Sequence, residues 1–402
     1  MGLCSITNTC GTRVVRFRGL DDGSVRADDW DRLAGGVPFR SWAWTSHWWR
    51  HYGAGQDRHG GHRSLFSLGV VDPAGSLIGI APWYVESSLA EGRVVRFLGS
   101  GEVCSDYLSV LCAPGSEEAV GAALADWLTA VHAPQTARPA DGGHDDGGGR
   151  DRWDLLELTG VDAEDAAVGR LVQQLEGRGN TVHRRSGPSF WRIELPGRWD
   201  EYLARLSKDH RKRVRRLERD VVSSDRLAVH RVERLDHLDH AWQVLVDLHQ
   251  RRRRSLGEPG CFASSRFATF HGHVTADLLR GGQLHLRWIA LDGRPVAAEY
   301  ALAGDGVIYA YQSGVDPDAL DHSPGRLSHI VMLREAIEQG YRAVDFLRGD
   351  EPYKPHWRAQ PRPGVEIRVV PDQAGAQLRH GLWRVGTGMK EWVKGGLRMA
   401  RG

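Results

Sequence analysis

The order of apolar periods is the strongest constraint on this chain, because one succession of elements occurs twice: a hairpin, then strand, helix and strand. In the first half Val14–Phe17 has the pattern of a strand, and Ser41 can cap an aromatic helix from Trp42 to Tyr52. Leu65–Val71 and Leu77–Val85 flank Asp72-Pro73-Ala74-Gly75, whose turn chemistry predicts a hairpin. Val94–Leu98 and Tyr107–Leu111 read as strands, Glu117 to His132 as a helix, and Trp153–Leu158 as a strand again. In the second half Trp199–Leu206 and Lys208–Val222 are predicted helices, followed by a strand at Leu227–Val232 and long helices at about 236–256 and 264–280. Gln283–Leu291 and Val296–Leu302 then form a hairpin across Asp292-Gly293. Val307–Gly314 is a strand, Gly325–Gln339 a helix and Ala343–Leu347 a strand, with a short helix at Glu351–Arg358 and a last strand at Val365–Val369. The halves share no alignable sequence period, so the repetition is one of element order: two similar α+β units.

Composition is compatible with that. A chain of 402 residues with 41% hydrophobic and 26% charged residues can bury two moderate cores. Lys+Arg at 53 against Asp+Glu at 51 gives no whole-protein signal for nucleic acid or an anionic membrane. Cys4, Cys10, Cys104, Cys112 and Cys261 are odd in number and form no CxxC pair, which argues against a disulfide framework or a structural zinc site. The pairs His59/His62 and His271/His273 have no acidic or Cys partner at ligand spacing, so they read as polar loop residues and no metal is expected. The N-terminus lacks an apolar signal region, and no stretch approaches the roughly 18 apolar residues of a spanning helix, so a cytoplasmic location is expected. Residues 133–152, dense in Gly, Asp and Pro, read as a disordered loop.

The second half carries a family resemblance. Tyr309-Ala-Tyr311-Gln-Ser313-Gly314, then Ser323-Pro324-Gly325-Arg326-Leu327, Glu335-Ala336-Ile337 to Gly340, and Asp345-Phe346-Leu347-Arg348-Gly349-Asp350-Glu351-Pro352-Tyr353-Lys354 resemble the CelD-like group of GNAT acyltransferases, which is associated with cellulose and exopolysaccharide synthesis. The same skeleton is similar to Fem-type aminoacyltransferases, which have tandem GNAT domains. Phe39–Gly53 and Ser207–Arg219 support the resemblance, which covers most of residues 25–370 and is most specific over 307–358.

It implies tandem GNAT-like α+β domains with mixed sheets and flanking helices: 1–185, then 186–372 carrying the acyl-donor site, then an amphipathic helix over 373–402. It also implies a CoA cradle where a strand ending at Gln312, Ser313 and Gly314 feeds a helix beginning at Ser323, Pro324 and Gly325, with Arg326 adding charge. Physically, the amides of a helix's first turn and the positive end of its dipole favour anions, and proline is tolerated there. One departure stands out. The usual GNAT loop, Gln/Arg-x-x-Gly-x-Gly/Ala, is not spelled here.

Acyl transfer to an amine needs a base, an oxyanion donor and an acid for the thiolate. The resemblance places Tyr353 as that acid, with Asp345 or Glu299 as the base. Lys354 and Arg348 are further candidates, holding a substrate phosphate or carboxylate. A structural ion pair or cap is the competing role for each. No Cys or Ser lies in a nucleophile motif, so direct attack is expected.

Three features stay open. Lys208–Arg219 and Arg251–Arg254 concentrate positive charge that suits a solvated helix, an anionic substrate or CoA phosphate, or tRNA. Trp42, Trp44, Trp48 and Trp49 exceed what one stripe buries, leaving a ring such as Trp48 to stack on a sugar or adenine. The tail repeats apolar residues from Leu378 to Leu397 beside basic ones, which fits docking on the body, a partner subunit or a membrane surface. The leading expectation is transfer of an acyl group, acetyl above all, from acetyl-CoA or another acyl-CoA to an amine or hydroxyl of a small molecule or sugar. The alternatives are aminoacyl transfer from tRNA and a catalytically silent scaffold of polysaccharide synthesis.

Overall fold

The computed structural model describes residues 6–7, 11–53, 62–88, 91–132 and 151–381. Residues 133–150 of the expected polar loop, 382–402 of the expected tail helix, and Cys4, Cys10 and His59 lie outside the described residues.

The first hairpin forms where turn chemistry put it, with Gly75 at φ +88 and Asp72 accepting from the Gly75 amide at 3.0 Å. It is bent, however. Leu68–Val71 pairs with Leu77–Ala81, and His62–Leu65 with Trp83–Ser88. Pro82, between the two stretches, has no N–H to give to the ladder. The bend hands the hairpin from a five-stranded antiparallel sheet to a six-stranded mixed one.

That six-stranded sheet runs Thr181–Ser186, Gly364–Val370, Leu155–Asp162, Gly92–Phe97, Trp83–Ser88, His62–Leu65. A seven-stranded sheet in the second half runs Leu227–Arg231, Leu284–Leu291, Arg294–Gly304, Val307–Val315, Ala343–Arg348, Phe190–Glu194, Gln360–Arg362. Each contains one parallel pair: Gly92–Phe97 with Leu155–Asp162, and Val307–Val315 with Ala343–Arg348. A crossover helix joins each pair, Glu117–Ala130 in the first half and Pro324–Glu338 in the second. The repeated element order is thus a repeated topology. The strand Gly364–Val370, which the expected boundary groups with the second half, completes the first-half sheet by pairing with Thr181–Ser186 and Leu155–Asp162.

Three local readings are corrected. Of the expected Tyr107–Leu111 strand only Leu111 pairs, in the two-residue strand Leu111–Cys112, because Cys104 and Tyr107 both take positive φ and turn the chain. The helix Ala166–Gly177 was not anticipated, although Asp165 caps it through the Val168 amide at 2.9 Å and Val168, Leu171, Val172 and Leu175 have helical spacing. The aromatic helix is α-helical only over Trp42–Trp48, ending in a π-type turn at Trp49–Gly53; Ser41 does cap it, accepting from Trp44 N at 3.2 Å.

The largest apolar cluster spans both halves and includes Trp30, Phe39, Trp44, Phe270, Tyr300 and Tyr309. Burying each such ring contributes roughly 1.5–3 kcal/mol, so this cluster holds the halves as one body. A second core lies under the Glu117–Ala130 and Ala166–Gly177 helices, and a third under Pro324–Glu338.

Candidate active site

In both halves the parallel strands pair briefly and then splay, but only the second splay is open. In the first half pairing stops after Val95 and Leu156, and the segment before Val110 fills the gap, with Leu108 N–H donating to Gly160 O at 2.9 Å. Gly160 sits at φ +70, and a Cβ there would lie 2.6 Å from the Ser105 carbonyl oxygen, so the plug requires glycine. In the second half pairing covers only Val307–Tyr309 with Ala343–Asp345. A bulge between Ala310 and Gln312 then turns the strand away. A cavity of about 400 Å³ lies beside the departing strand, lined by Ser313, Gly314 and Val315 and, from the turn after Ala343–Arg348, by Tyr353 and Trp357.

Its wall is built by register. Glu299 lies opposite both Arg287 and Ser313, so these three side chains share the face covered by the Pro324–Glu338 helix. From that helix Gly325, Ser328 and His329, spaced three and four apart, line the cavity one turn from its start. Ser328 Oγ donates to Glu299 Oε2 at 2.8 Å, and one face further on Arg287 pairs with Glu335 at 2.9 Å. Glu299 is 3% exposed, and burial holds its carboxyl above the ordinary range, opposed by the Ser328 bond and by Arg287. A raised carboxyl that lines a cavity is suited to exchange a proton there.

Tyr353 enters from the turn before Lys354–Trp357, its ring 5.2 Å from His329 and edge-on to Phe346. Burial pushes its phenol upward, with Glu299 and Glu351 acting in the same sense. His329 and His210, both lining the cavity, are pushed down to about 4 by burial, with Arg326 adding repulsion, so both are neutral at pH 7.

The other expected site residues go elsewhere. Lys354 is 1% exposed, donates to the carbonyls of Leu347, Arg348 and Gly349 at 2.8–3.1 Å, and pairs with Glu351. Its three protons are used in holding the turn beneath Tyr353. Arg348 reaches into the first half, bonding Asp106 and the Ser105 carbonyl. Asp345 is wholly buried and accepts from Tyr107 and from Leu347 N. Trp48 is 1% exposed, packed on Tyr52 and Tyr84. Gly314 lines the cavity but also meets the Leu238–Ser255 helix, where a Cβ would collide with His249 N. Ser313 is exposed at the cavity, whereas Gln312 is half-buried outside it.

The first turn of the Pro324–Glu338 helix departs from expectation. Pro324 has no N–H, and Arg326 N is already bonded to Ser323 O at 2.9 Å, as is Leu327 N at 3.1 Å. Ser323 N bonds Leu320 O at 3.0 Å, so of the four amides a helix start normally presents only that of Gly325 remains. Ser323 holds the helix entry at φ 55 without a side-chain cap, and lines an adjoining cavity of about 440 Å³.

Residues 208–355 match the family model of an acetyltransferase (GNAT) domain. The chain has a tandem GNAT fold. No curated protein matches it in sequence. Among solved structures it is similar to FemX, at 11% identity over 88% of this chain and 98% of that one, with a TM-score of 0.60. A conserved protein of unknown function from Bacteroides thetaiotaomicron VPI-5482 aligns at 10% identity over 86% and 98%, with a TM-score of 0.51. At these identities the likeness is one of fold. In GNAT terms, the matched region contains the open splay, the crossover helix, Glu299 and Tyr353. Sequence reasoning missed His210, His329 and Ser328; for the last two the signal was present, as neighbours of Gly325 at helical spacing.

Among the described residues no group of His, Cys, Asp and Glu is arranged to hold a metal ion, and no helix is long and apolar enough to cross a membrane.

Proposed function

We propose that the protein is an acyltransferase that moves an acyl group, acetyl being the simplest, from acyl-CoA to an amine or hydroxyl of a small molecule or sugar. The observation that carries this is the open splay of the second half, whose cavity brings together Glu299, Ser328 and Tyr353. The arm of the donor would enter between Val307–Val315 and Ala343–Arg348, where strand edges left unpaired can bond its amides. Glu299 takes the proton of the attacking amine, directly or through a water, and Ser328 orients its carboxylate. The nitrogen attacks the thioester carbonyl carbon, the C–S bond breaks, and the departing thiolate takes the proton of Tyr353. His329, neutral and stacked on that ring, fixes its position. Asp345, Lys354 and Arg348 act as supports in this reading. We propose the expected division near 185/186 as the domain boundary, with Gly364–Val370 returning to the first-half sheet.

Aminoacyl transfer from tRNA is the second reading. It is favoured by the exposed cations Lys208 and Arg215 on the Lys208–Leu217 helix, which suit a phosphate backbone. Thermal melting separates the two: CoA should stabilise the protein, whereas stabilisation by charged tRNA at low salt with no effect of CoA would sink the acyl-CoA reading.

A further inference from the structure

The cavity beside the Val307–Val315 strand is lined from both faces of the sheet. Side chains alternate along Arg294–Gly304, so Glu299 points to the Pro324–Glu338 helix, where Ser328 meets it. Ala298 and Tyr300 point the other way, to the Leu238–Ser255 helix, where Trp242 stands edge-on to Tyr300 at 5.5 Å. Ser313 lies opposite Glu299 and Gly314 opposite Ala298, and all four line the cavity. Glu299 and Ser328 therefore reach it from one face. From the other comes Arg252, on the last turn of the Leu238–Ser255 helix.

Arg252 is one of four successive arginines and differs from the other three. Arg251 pairs with Asp316 at 2.6 Å, Arg253 pairs with Glu258 at 2.7 Å, and Arg254 is exposed. Arg252 is half-buried, and its guanidinium forms no ion pair or hydrogen bond among the described residues. A cation drawn partly out of water without a counter-ion is unfavourable, and the helix C-terminus offsets only part of that. The backbone beneath it is held in place. Gln250 Nε2 donates to Pro259 O at 3.0 Å and Glu258 N to Arg253 O at 2.9 Å, folding the following loop back on the helix. On the strand side His249 Nδ1 donates to Ser313 O at 2.8 Å.

Of the other titratable groups lining the cavity, Glu299 is the proposed base, and Arg326 belongs to the first turn of the helix above it. His210 and His329 are neutral at pH 7. A carboxyl on one face and an unpaired guanidinium on the other match a ligand with an ammonium at one end and an acid at the other.

We propose that the acceptor is zwitterionic: an amine that bears an oxyanion group, carboxylate or phosphate, gripped by the planar fork of Arg252 while its nitrogen is held at Glu299. This rests on the acyl-CoA reading above, narrows its acceptor to acidic amines, and makes Arg252 the residue that selects them. In net terms the C–S bond breaks and the N–C bond forms. The ammonium loses two protons, one to the CoA thiol and one, through Glu299, to solvent.

The test is steady-state acetyl transfer by the full chain, read by thiol release, with two matched pairs of acceptors: the common amino acids against their carboxamides, and glucosamine 6-phosphate against glucosamine. Calorimetric titration with CoA runs beside it. Wild type is expected to use the acid member of at least one pair with kcat/KM about tenfold or more above the neutral member, and the pair that shows this identifies the oxyanion. Arg252→Gln should lower that ratio about tenfold, through KM for the acid, while CoA affinity stays within about twofold. Arg252→Lys should restore part of the ratio, and Arg254→Gln, which removes an exposed charge of the same turn, should leave it within about twofold. If CoA binds but wild type uses acid and neutral acceptors equally, or uses no acid, the inference falls while the acyl-CoA reading stands. An unchanged ratio in Arg252→Gln overturns it too, as does a loss of CoA affinity with the ratio intact, which would give Arg252 to the donor. If wild type binds no CoA, both fall.

Discussion

Tyr107 of the first half donates its phenolic proton to Asp345 of the second, at the last paired position of the parallel strands. Beyond that point the second sheet opens, so the bond joins the plugged splay to the open one. Burial raises the Asp345 carboxyl to about 7, against the partial compensation of Tyr107 and the Leu347 amide. The unfolded carboxyl titrates near 3.9. Folding therefore takes up a proton between these values. The stabilisation is complete below about pH 4, is lost progressively as pH rises through about 7, and is on the order of 4 kcal/mol. Asp345→Asn should flatten the pH dependence of urea-unfolding stability between pH 4 and 7 and be more stable than wild type at pH 8. An unchanged slope would refute the account of this pair.

Glu299→Gln preserves the size of the side chain and its bond with Ser328 but removes the base. Its turnover should fall about 10²–10⁴-fold, while CoA affinity stays within twofold of wild type. Steady-state kinetics with a thiol-release readout, beside calorimetry, checks both. Ser328→Ala should act more weakly, through loss of orientation.

Lys354 was expected at the chemistry and is found beneath it. Lys354→Met strands the carbonyls of Leu347, Arg348 and Gly349 and should cost about 2–5 kcal/mol in denaturant unfolding. A catalytic lysine would behave differently: turnover would vanish with stability unaltered.

Gly314→Ala should destabilise by several kcal/mol, because the new methyl meets the backbone of the Leu238–Ser255 helix, which cannot move like a flexible side chain. Gly325→Ala should be neutral in melting experiments, since its Cβ would rest 3.7 Å from Val315 in ordinary contact.

These contrasts show what the residues could and could not disclose. The element order, both hairpins and the crossover helix were legible because they depend on local periodicity and turn chemistry. Glu299, Tyr353 and Gly325, singled out by motif, line one cavity. Asp345 does not, because strand alternation fixes that successive side chains point to opposite faces without saying which face is the cleft. Lys354 follows Tyr353 by one residue in a tight turn, and that single step points it inward. Arg252 was half legible: it stood within the basic run Arg251–Arg254, but only the packing of that helix on Gly314 brings it to the cavity. The plug at Gly160 depends on a contact between Ser105 and Gly160 that no local pattern encodes.

The most direct test of the central claim is calorimetric titration of acetyl-CoA into wild type and Gly325→Leu, whose side chain would fill the mouth of the open splay. The expected result is saturable one-to-one binding by wild type and loss of at least tenfold in affinity in the variant, with its folding intact by circular dichroism. Equal binding by the two proteins would place the donor elsewhere and contradict the account.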